Sequence, residues 1–280
     1  MDINWSYKNK SRVFDTKESA GVPYLSFKAL DDTGLAVNGF STRMGGASRG
    51  KFSTMNFSYS RGDAAEDVLE NFTRMAAALG VERDRMVVSH QTHTVNLRRA
   101  GKGVVRERDY RDIDGLITDV PGLTLVTFYA DCVPLYLLDP VNRAIGLSHS
   151  GWRGTVKRMG QVTVDAMKEA FGTKPEDLIA CVGPSICRDC FEVGGEVVEE
   201  FREAFGPEHR EALYCQGKRP GKYQLDLWKA NEIVLLDAGV KKDHLEVTDV
   251  CTCCNPELLF SHRASHGKRG NLGAFLCLNP

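Results

Sequence analysis

The sequence predicts an α/β or α+β fold in which a mixed β-sheet is combined with four helices. Short apolar runs, rich in β-branched and aromatic residues, occur in clusters that are typical of strands. Four longer segments with helical periodicity lie between these clusters. Neither a strand–GxGxxG–helix segment nor a GxxxxGKS or GxxxxGKT motif occurs, which argues against a Rossmann dinucleotide site and against a P-loop.

Two predicted strands open the chain, at Tyr24–Leu30 and Leu35–Phe40, and the composition of Asp31–Gly34 predicts a hairpin turn between them. The apolar run LTLVTFY at 123–129 is followed by a second run, LYLLD, then by the turn signal DPVN and the segment AIGLSHSGWRG, which together indicate strands joined by a tight turn. Further short strands are predicted at Met86–Ser89, Asp177–Gly183, His244–Thr248, Leu258–His262 and Gly273–Leu278.

The four helices are predicted from apolar periodicity and from the residues that follow it. They are expected at Asp63–Leu79, at Arg153–Phe171, at Gly195–Phe205 and from Asp226 to about Gly239. Gly80 and Gly172 directly follow the first two helices, at the position where glycine commonly ends a helix.

The composition is that of an ordinary globular protein: of 280 residues, 42% are hydrophobic and 26% are charged, and the net charge is −1. There is no basic stripe or run of like charge, so nucleic acid is not an expected partner. The amino-terminal residues contain no apolar signal region, and no stretch approaches the length of a membrane span. We therefore expect a cytoplasmic protein without a membrane partner.

Cys132 and His149 are predicted to meet at one end of the sheet. If residues 138–139 oppose residues 143–144 across the turn, the antiparallel register places Pro134 roughly opposite His149, with Cys132 one diagonal step beyond. A third ligand could come from the segment after Met86–Ser89, where the spacing of His90 and His93 allows either to face the same site. One Cys and two His with an open fourth position would form a catalytic type of zinc site.

Nine cysteines are an odd number, which argues against a fully paired disulfide framework. Two pairs, Cys187 with Cys190 and Cys251 with Cys254, have the spacing of metal ligands and could form the halves of a structural zinc site. Their separation of about sixty residues is much longer than the spacing in compact zinc ribbons, so free thiols are the favoured interpretation.

Several motifs occur together in one order along residues 35–278. They are Ser41-Thr42-Arg43 with Gly45-Gly46, Gln91-Thr92-His93, Asp114–Thr118, Ala130–Pro134, His149–Gly154, Gly183–Ile186, Cys251-Thr252 and Phe260–Arg263. This set resembles the YfiH/YlmD/LACC1 family, formerly called multicopper polyphenol oxidase or laccase-like and now described as purine nucleoside phosphorylase. His262 stands where that family usually has Tyr.

The resemblance implies a single YfiH-like domain over residues 1–280, an α+β fold with mixed sheets layered as α/β/β/α. It implies one zinc ion held by His93, Cys132 and His149. It also implies phosphorolysis of adenosine, inosine, guanosine and S-methyl-5′-thioadenosine to base and ribose 1-phosphate, together with deamination of adenosine to inosine.

These reactions require particular groups. Phosphorolysis needs cations for phosphate, and Arg43, Arg153 and Arg263 are the candidates, since Arg binds phosphate well and a helix amino terminus favours an anion near Arg153. Deamination needs an activated water, which an open zinc site supplies. Asp131 could orient a zinc ligand or transfer a proton, although it could equally make a strand-end hydrogen bond.

The sequence also leaves three alternative functions open. A copper-dependent phenol oxidase would fit the older family name, but seven His in all are few for a blue-copper site plus a trinuclear cluster. A cysteine hydrolase would use Cys132 as nucleophile and His149 as base. A binding role without catalysis is neither supported nor excluded by the sequence.

Overall fold

Two six-stranded β-sheets and a three-stranded sheet make up the β-structure of the computed structural model, which describes residues 3–101 and 111–280. The strands are β1 Phe14–Ser19, β2 Val22–Phe27, β3 Ala36–Ser41, β4 Met86–Val88, β5 Leu97–Arg99, β6 Gly115–Thr118, β7 Thr124–Tyr129, β8 Val133–Asp139, β9 Ala144–Ser150, β10 Ile179–Val182, β11 Glu192–Gly194, β12 Tyr214–Gln216, β13 Lys222–Leu225, β14 Leu245–Val247 and β15 Leu272–Leu278. The α-helices are α1 Lys28–Asp31, α2 Ala65–Leu79, α3 Trp152–Val156, α4 Met159–Phe171, α5 Gly195–Phe205, α6 Arg210–Leu213 and α7 Leu227–Asp237.

Both large sheets are mixed, as predicted. The first has the order β1-β2-β3-β15-β7-β4, in which only the β4–β7 pair is parallel. The second has the order β14-β10-β8-β9-β6-β5, in which the outer pairs β14–β10 and β6–β5 are parallel. The small sheet, β11-β13-β12, is antiparallel.

Strand β8 shows how the layers are built. Its side chains alternate between two hydrophobic clusters because successive residues of a strand point to opposite faces. Tyr136 and Leu138 belong to a cluster that also contains Phe40 of the first sheet, so the two large sheets face each other. Leu135 and Leu137 belong to a cluster with residues of α4, α5 and α7, which cover the other face.

The outer face of the first sheet is covered by α2. Its Val68, Phe72 and Met75 form a third cluster with Val126 and Phe275 of the sheet. The order of layers is therefore helix, sheet, sheet, helices, which confirms the predicted α+β fold with an α/β/β/α arrangement. No helix of the described residues is both long and apolar enough to cross a membrane.

The turn between β8 and β9 sets the register on which the site depends. Asp139 pairs with Ala144 and Pro134 pairs with His149, which confirms the predicted pairing at the far end of the hairpin. Residues 138–139 oppose residues 144–145 rather than 143–144, so the register differs by one residue from the one assumed at the turn.

Helices α2, α5 and α7 lie where they were predicted, and α5 has the predicted bounds. The predicted single helix Arg153–Phe171 is wrong, because Arg158 takes a left-handed backbone conformation with φ of 59° and separates α3 from α4. The predicted antiparallel strands on either side of Asp31–Gly34 do form, as β2 and β3, and the N–H of Gly34 donates to the carbonyl of Asp31 across the predicted turn. The first strand ends at Phe27 rather than at Leu30, because α1 occupies residues 28–31 before the turn.

Two strand predictions also need correction. Residues Leu258–His262 do not form a strand, since the N–H groups of Leu258 and Leu259 both donate to the carbonyl of Asn255 and close a turn. Strand β1 was not predicted. It forms a hairpin with β2 across Ala20-Gly21, where both residues have positive φ, the conformation that two-residue hairpin turns require.

Candidate metal and substrate site

Three side chains that could bind one metal ion meet at the end of the second large sheet. Ligand atoms of His93, Cys132 and His149 all lie within 4.8 Å of one another. Cys132 directly precedes β8 and His149 lies near the end of β9, so the register of this hairpin brings the two together. The predicted proximity of Cys132 and His149 is thus confirmed.

His93 supplies the third side chain of the group, from the segment that follows β4. Its backbone has a positive φ of 67°, and its Nε2 lies 3.9 Å from Sγ of Cys132. His90, which the sequence spacing left equally eligible, is exposed and forms a backbone bridge with Arg111. It is a neighbour of the group and not a member of it.

Asp114 orients His149. Its Oδ1 lies 2.8 Å from Nδ1 of His149, and the backbone N–H of His149 donates to the Asp114 carbonyl. Because Nδ1 is engaged in this way, Nε2 is the ring nitrogen left for a metal. A carboxylate that holds a ligating histidine by its other nitrogen is a common arrangement in metal sites.

The same carboxylate also holds the segment that carries His93. It accepts hydrogen bonds from the backbone N–H groups of Thr92, His93 and Thr94, at 3.1, 3.1 and 2.9 Å. The Thr94 hydroxyl donates to it as well, at 2.9 Å. One buried carboxylate therefore positions two of the three candidate ligands.

Asp114 is absent from the residues predicted for the site. A sequence signal for it exists, because Gly115 pairs with Ser148 and the residue before Gly115 therefore falls beside His149. That argument requires knowing that β6 lies next to β9, and the intervening strands β7 and β8 hide this adjacency in the sequence.

The three groups perturb one another's pKa values. Burial alone would raise the pKa of Cys132, but the charges and hydrogen bonds of His149 and His93 lower it to about 6. Burial alone would lower the pKa of His149, but Cys132 and Asp114 raise it to about 9. Burial would raise the pKa of Asp114, but His149 and the backbone N–H groups of Thr94 and Thr92 lower it to about 2. The metal-free site thus favours a thiolate beside an imidazolium near neutral pH.

Gly151 leaves room for the ligands. A Cβ at this position would lie 2.9 Å from Cδ2 of His93 and 3.2 Å from Sγ of Cys132. Both distances are shorter than an ordinary van der Waals contact, so a side chain here would displace the ligands. Gly151 is therefore required because the ligand side chains approach it closely, and not because of its backbone conformation.

The three side chains fit a tetrahedral zinc site with one position open. With Zn–S of about 2.3 Å and Zn–N of about 2.0–2.1 Å, neighbouring donors in a tetrahedron lie about 3.3–3.6 Å apart. The 3.9 Å between Cys132 Sγ and His93 Nε2 is close to this range. Thiolate and imidazole are ligands that zinc commonly takes.

A cavity of about 480 Å³ opens beside these side chains, and His93, Cys132 and His149 form part of its wall. Aromatic and basic side chains line the rest of the cavity. The aromatic residues are Phe57, Tyr59, Phe128 and Tyr129, and the basic residues besides His93 and His149 are Arg61, His90, Arg111 and Arg269.

Arg269 is the half-buried member of these cations whose hydrogen bonds are described. Its Nη1 donates to the Gly270 carbonyl and to Asn271 Oδ1, whereas its buried Nε has no hydrogen-bond partner among the described residues. Burial and the nearby charge of Arg61 lower the pKa of Arg269 to about 10. A second cation close enough to lower the pKa of Arg269, together with the unsatisfied Nε donor, makes a suitable place for an anion.

The arginines predicted to bind phosphate are not among the residues that line this cavity. Arg43 donates to the carbonyls of Ser53 and Pro256. Arg153 is exposed and lies over the ring of Trp152. The side chains of Arg43 and Arg153 do not line the cavity beside His93, Cys132 and His149. Their role in phosphate binding stays a prediction.

Arg263 and Asp131 contribute to a loop contact beside the site. Both oxygens of the buried Asp131 carboxylate accept hydrogen bonds, one from the Thr252 hydroxyl and one from the Arg263 backbone N–H, each at 2.7 Å. The Arg263 guanidinium donates to the Cys190 carbonyl at 3.0 Å. Asp131 thus makes the strand-end type of hydrogen bond that the sequence left open, and its predicted role in proton transfer remains untested.

Comparison with known proteins agrees with this architecture. The model of the family described as multi-copper polyphenol oxidoreductase laccase matches residues 37–279. The chain belongs to this family. Among relatives of this laccase-domain protein, purine nucleoside phosphorylase YlmD of Geobacillus stearothermophilus is 36% identical over 248 residues, which cover 86% of this chain and 89% of the relative. Adenosine deaminase RL5, from an unknown prokaryotic organism, is 35% identical over 234 residues, covering 81% and 88%.

Solved structures of laccase-domain proteins have the same fold. The crystal structure of YlmD from Geobacillus stearothermophilus superimposes with a TM-score of 0.87 at 32% identity, covering 96% of this chain and 99% of the other. That of YfiH from Bacillus licheniformis gives a TM-score of 0.86 at 30% identity, covering 94% and 99%. The predicted resemblance to the YfiH/YlmD family is confirmed.

Proposed function

We propose that this laccase-domain protein is a zinc-containing purine nucleoside phosphorylase that also deaminates adenosine. The observation that carries the proposal is one cavity whose wall contains both the three-ligand group and a cluster of arginines. The names of the relatives, purine nucleoside phosphorylase and adenosine deaminase, support the same pair of reactions.

The cavity suits a nucleoside in size and chemistry. A volume of about 480 Å³ lies in the range of small-molecule sites. Tyr59 and Phe128 offer aromatic surface for a purine, and Ser58 and Asn271 offer polar groups for ribose hydroxyls. Adenosine, inosine, guanosine and S-methyl-5′-thioadenosine share the purine and ribose parts that these groups would contact.

In phosphorolysis, a phosphate oxygen forms a bond to C1′ of the ribose while the bond from C1′ to the purine nitrogen breaks, and the leaving purine takes up a proton. We assign phosphate binding to Arg61 and Arg269, because both line the cavity beside the three-ligand group and the Nε of Arg269 has no hydrogen-bond partner among the described residues. Charge-assisted hydrogen bonds from guanidinium to phosphate are strong and geometrically specific. They would also hold the anion beside the positive charge that develops on the sugar.

In deamination, a water oxygen adds to C6 of adenine and ammonia leaves. When bound at an open three-ligand site, zinc lowers the pKa of a coordinated water toward neutrality. His93, Cys132 and His149 would hold the ion, and Asp114 keeps Nε2 of His149 directed toward it. We assign the exchange of a proton with the substrate to His90, which lines the same cavity.

The test is to incubate the purified protein with inosine or adenosine and phosphate. We expect free base and ribose 1-phosphate in equal amounts, and inosine from adenosine when phosphate is omitted. Cys132→Ala should abolish both activities and remove the zinc ion held by His93, Cys132 and His149. Release of neither base nor ribose 1-phosphate above the Cys132→Ala background would refute the phosphorylase assignment.

Substitution of the arginines separates the two sets of phosphate candidates. Arg269→Gln should raise KM for phosphate about 10- to 100-fold, since a hydrogen bond to a charged group contributes about 1.5–3 kcal/mol. Arg153→Gln changes an exposed side chain outside the cavity wall and should leave the KM for phosphate near the parental value. A raised KM for phosphate in Arg153→Gln, with an unchanged KM in Arg269→Gln, would instead support phosphate binding by Arg153, as predicted from the sequence.

The two other enzymatic interpretations predict different observations. A copper oxidase would contain bound copper and show an intense blue absorption band. The seven His all lie within the described residues, and only two of them join a group that could hold a metal. A cysteine hydrolase would keep Cys132 reactive toward alkylation in metal-loaded protein, whereas a zinc ligand is protected.

A further inference from the structure

Four other cysteines converge at a second place in the molecule. The Sγ atoms of Cys187, Cys190, Cys251 and Cys254 all lie within 4.8 Å of one another. Cys187 and Cys251 are buried, and Cys190 and Cys254 are half-buried. The two pairs are far apart in the sequence and belong to separate loops, so their meeting is a property of the tertiary structure.

Parallel pairing of two strands explains why the pairs meet. Strand β10 leads to the first pair and strand β14 leads to the second, and Val182 of β10 pairs in parallel with Val247 of β14. The carboxyl ends of parallel neighbours lie at the same edge of a sheet, and a further bridge between Ser185 and Cys251 extends the pairing beyond the strands. The residues between the two cysteine pairs form other elements of the fold. The long separation of the pairs in the sequence therefore does not prevent the two loops from meeting.

The distances between sulfurs match a tetrahedral metal site. Four thiolates at about 2.3 Å from a zinc ion lie about 3.8 Å from one another. In the structure Sγ of Cys254 lies 3.5 Å from Sγ of Cys190 and 4.0 Å from Sγ of Cys187. A disulfide would need about 2.0 Å, and all nine cysteines of the structure are free.

The surroundings also suit a metal thiolate cluster. The backbone N–H of Cys187 donates to Sγ of Cys251 at 3.2 Å, as amide groups commonly do to metal-bound thiolates. Trp228 packs against Cys187 and Cys251 and keeps water from one side. The ammonium of Lys8 is held nearby by Asp189 at 2.6 Å and interacts with the charge of Cys187 and Cys254.

We propose that Cys187, Cys190, Cys251 and Cys254 bind one zinc ion in a closed structural site, separate from the three-ligand site at Cys132. All four tetrahedral positions are filled by protein, which leaves none for a substrate and makes the site structural. The proposal does not depend on the nucleoside activity.

The site would stabilise the wall of the substrate cavity. The carbonyl of Cys190 accepts from the Arg263 guanidinium, and Thr252, next to Cys251, donates to Asp131. Asp131 is adjacent to Cys132, so loops tied by the four cysteines contact the residue beside the catalytic candidate. Zinc bound there would join the two CxxC loops and restrain these contacts.

The decisive measurement is the zinc content of variants purified in parallel. The parental protein should contain two zinc ions per chain, Cys254→Ser one, Cys132→Ala one and the double variant none. Cys215→Ser is the matched control, because Cys215 is exposed on β12 and lies outside both groups, and it should retain two. One zinc ion in the parental protein, with the same content in Cys254→Ser, would overturn the proposal.

Alkylation of the parental protein tests the site without any substitution. In native protein the four thiols should react at least about tenfold more slowly than Cys215, and a strong chelator should release all four together, as mass spectrometry of peptides would show. Cys254→Ser should still bind zinc through His93, Cys132 and His149. Failure of the four-cysteine site and failure of the nucleoside activity can therefore be told apart. Free reaction of the four thiols before chelation, or their isolation as disulfides, would refute a zinc cluster.

Discussion

Substitution of Asp114 by Asn tests whether this carboxylate builds the three-ligand site. Asn keeps the size of the side chain and one oxygen acceptor, but it removes the charge beside His149 and at least one acceptor for the segment at Thr92–Thr94. The imidazole would lose the partner that fixes its orientation, and His93 would lose part of its backbone support.

Two magnitudes follow from the structure. Loss of a partner that orients a metal ligand typically weakens metal binding 10- to 100-fold, and we expect a change of about that size in zinc affinity. In metal-free protein, the lowering of the Asp114 pKa from 3.8 to about 2 corresponds to about 2 kcal/mol of stability at neutral pH. The carboxylate is fully buried, so solvent screening reduces this value little.

The sign of the pH dependence can be worked out from the same shift. A group whose pKa is lowered by folding stabilises the native state above its unfolded pKa, and this contribution is lost as the pH falls through the folded pKa. The stability that the Asp114 carboxylate contributes through its own lowered pKa, and that Asp114→Asn removes, should therefore be fully present above about pH 3.8. It should shrink as the pH falls from about 3.8 to about 2.

The assay combines zinc competition with a chromogenic chelator at neutral pH and urea unfolding of the metal-free protein. Asp112→Asn is the matched control: this nearby carboxylate is exposed and contacts Thr92 and Asn96, but it makes no described contact with His149. If Asp114→Asn bound zinc as tightly as the Asp112→Asn control, the carboxylate would not position the ligands and our reasoning would be refuted.

Two further predictions concern the same group. Gly151→Ala should weaken zinc binding about tenfold, because its Cβ would meet His93 and Cys132. Gly154→Ala is the control and should bind zinc normally, since a Cβ on Gly154 has no neighbour closer than 3.5 Å. Zinc titration of both variants checks this prediction. In metal-free protein the rate of Cys132 alkylation should rise with pH around a midpoint of about 6, since its lowered pKa keeps the thiolate above that pH. His149→Ala should move the midpoint upward, and a midpoint unchanged by this substitution would show that His149 does not activate the thiol.

Local patterns predicted the part of the site that depends on one hairpin. The turn signal at Asp139–Asn142 and the two apolar runs beside it determine a register, and the register pairs Pro134 with His149. This works because an antiparallel hairpin has a fixed side-chain period of two and its pairing propagates from the turn. Helix α5 was predicted with its correct bounds for a similar reason, since its apolar periodicity ends directly before Gly206.

Local patterns failed where a few residues take a conformation that their neighbours do not indicate. Nothing in the periodicity of residues 153–171 distinguishes Arg158, whose positive φ divides the predicted helix. The predicted strand Tyr24–Leu30 ends at Phe27, because residues 28–31 form the helical turn α1. Propensity is a weak guide to such positions because packing against the rest of the molecule overrides it.

The sequence by itself determined the chemistry of the ligands, the mixed α+β character and the neighbourhood of Cys132 and His149. Residue spacing left His90 and His93 equally eligible, the family resemblance selected His93, and the tertiary structure places His93 in the group. Only the tertiary structure decided that Asp114 supports the group and that Arg269 lines the cavity. It also decided that two CxxC pairs more than sixty residues apart share one site. The physical reason is that these contacts depend on which strands lie side by side, and strand order is set by burial of whole sheet faces, which the periodicity of a single segment does not record.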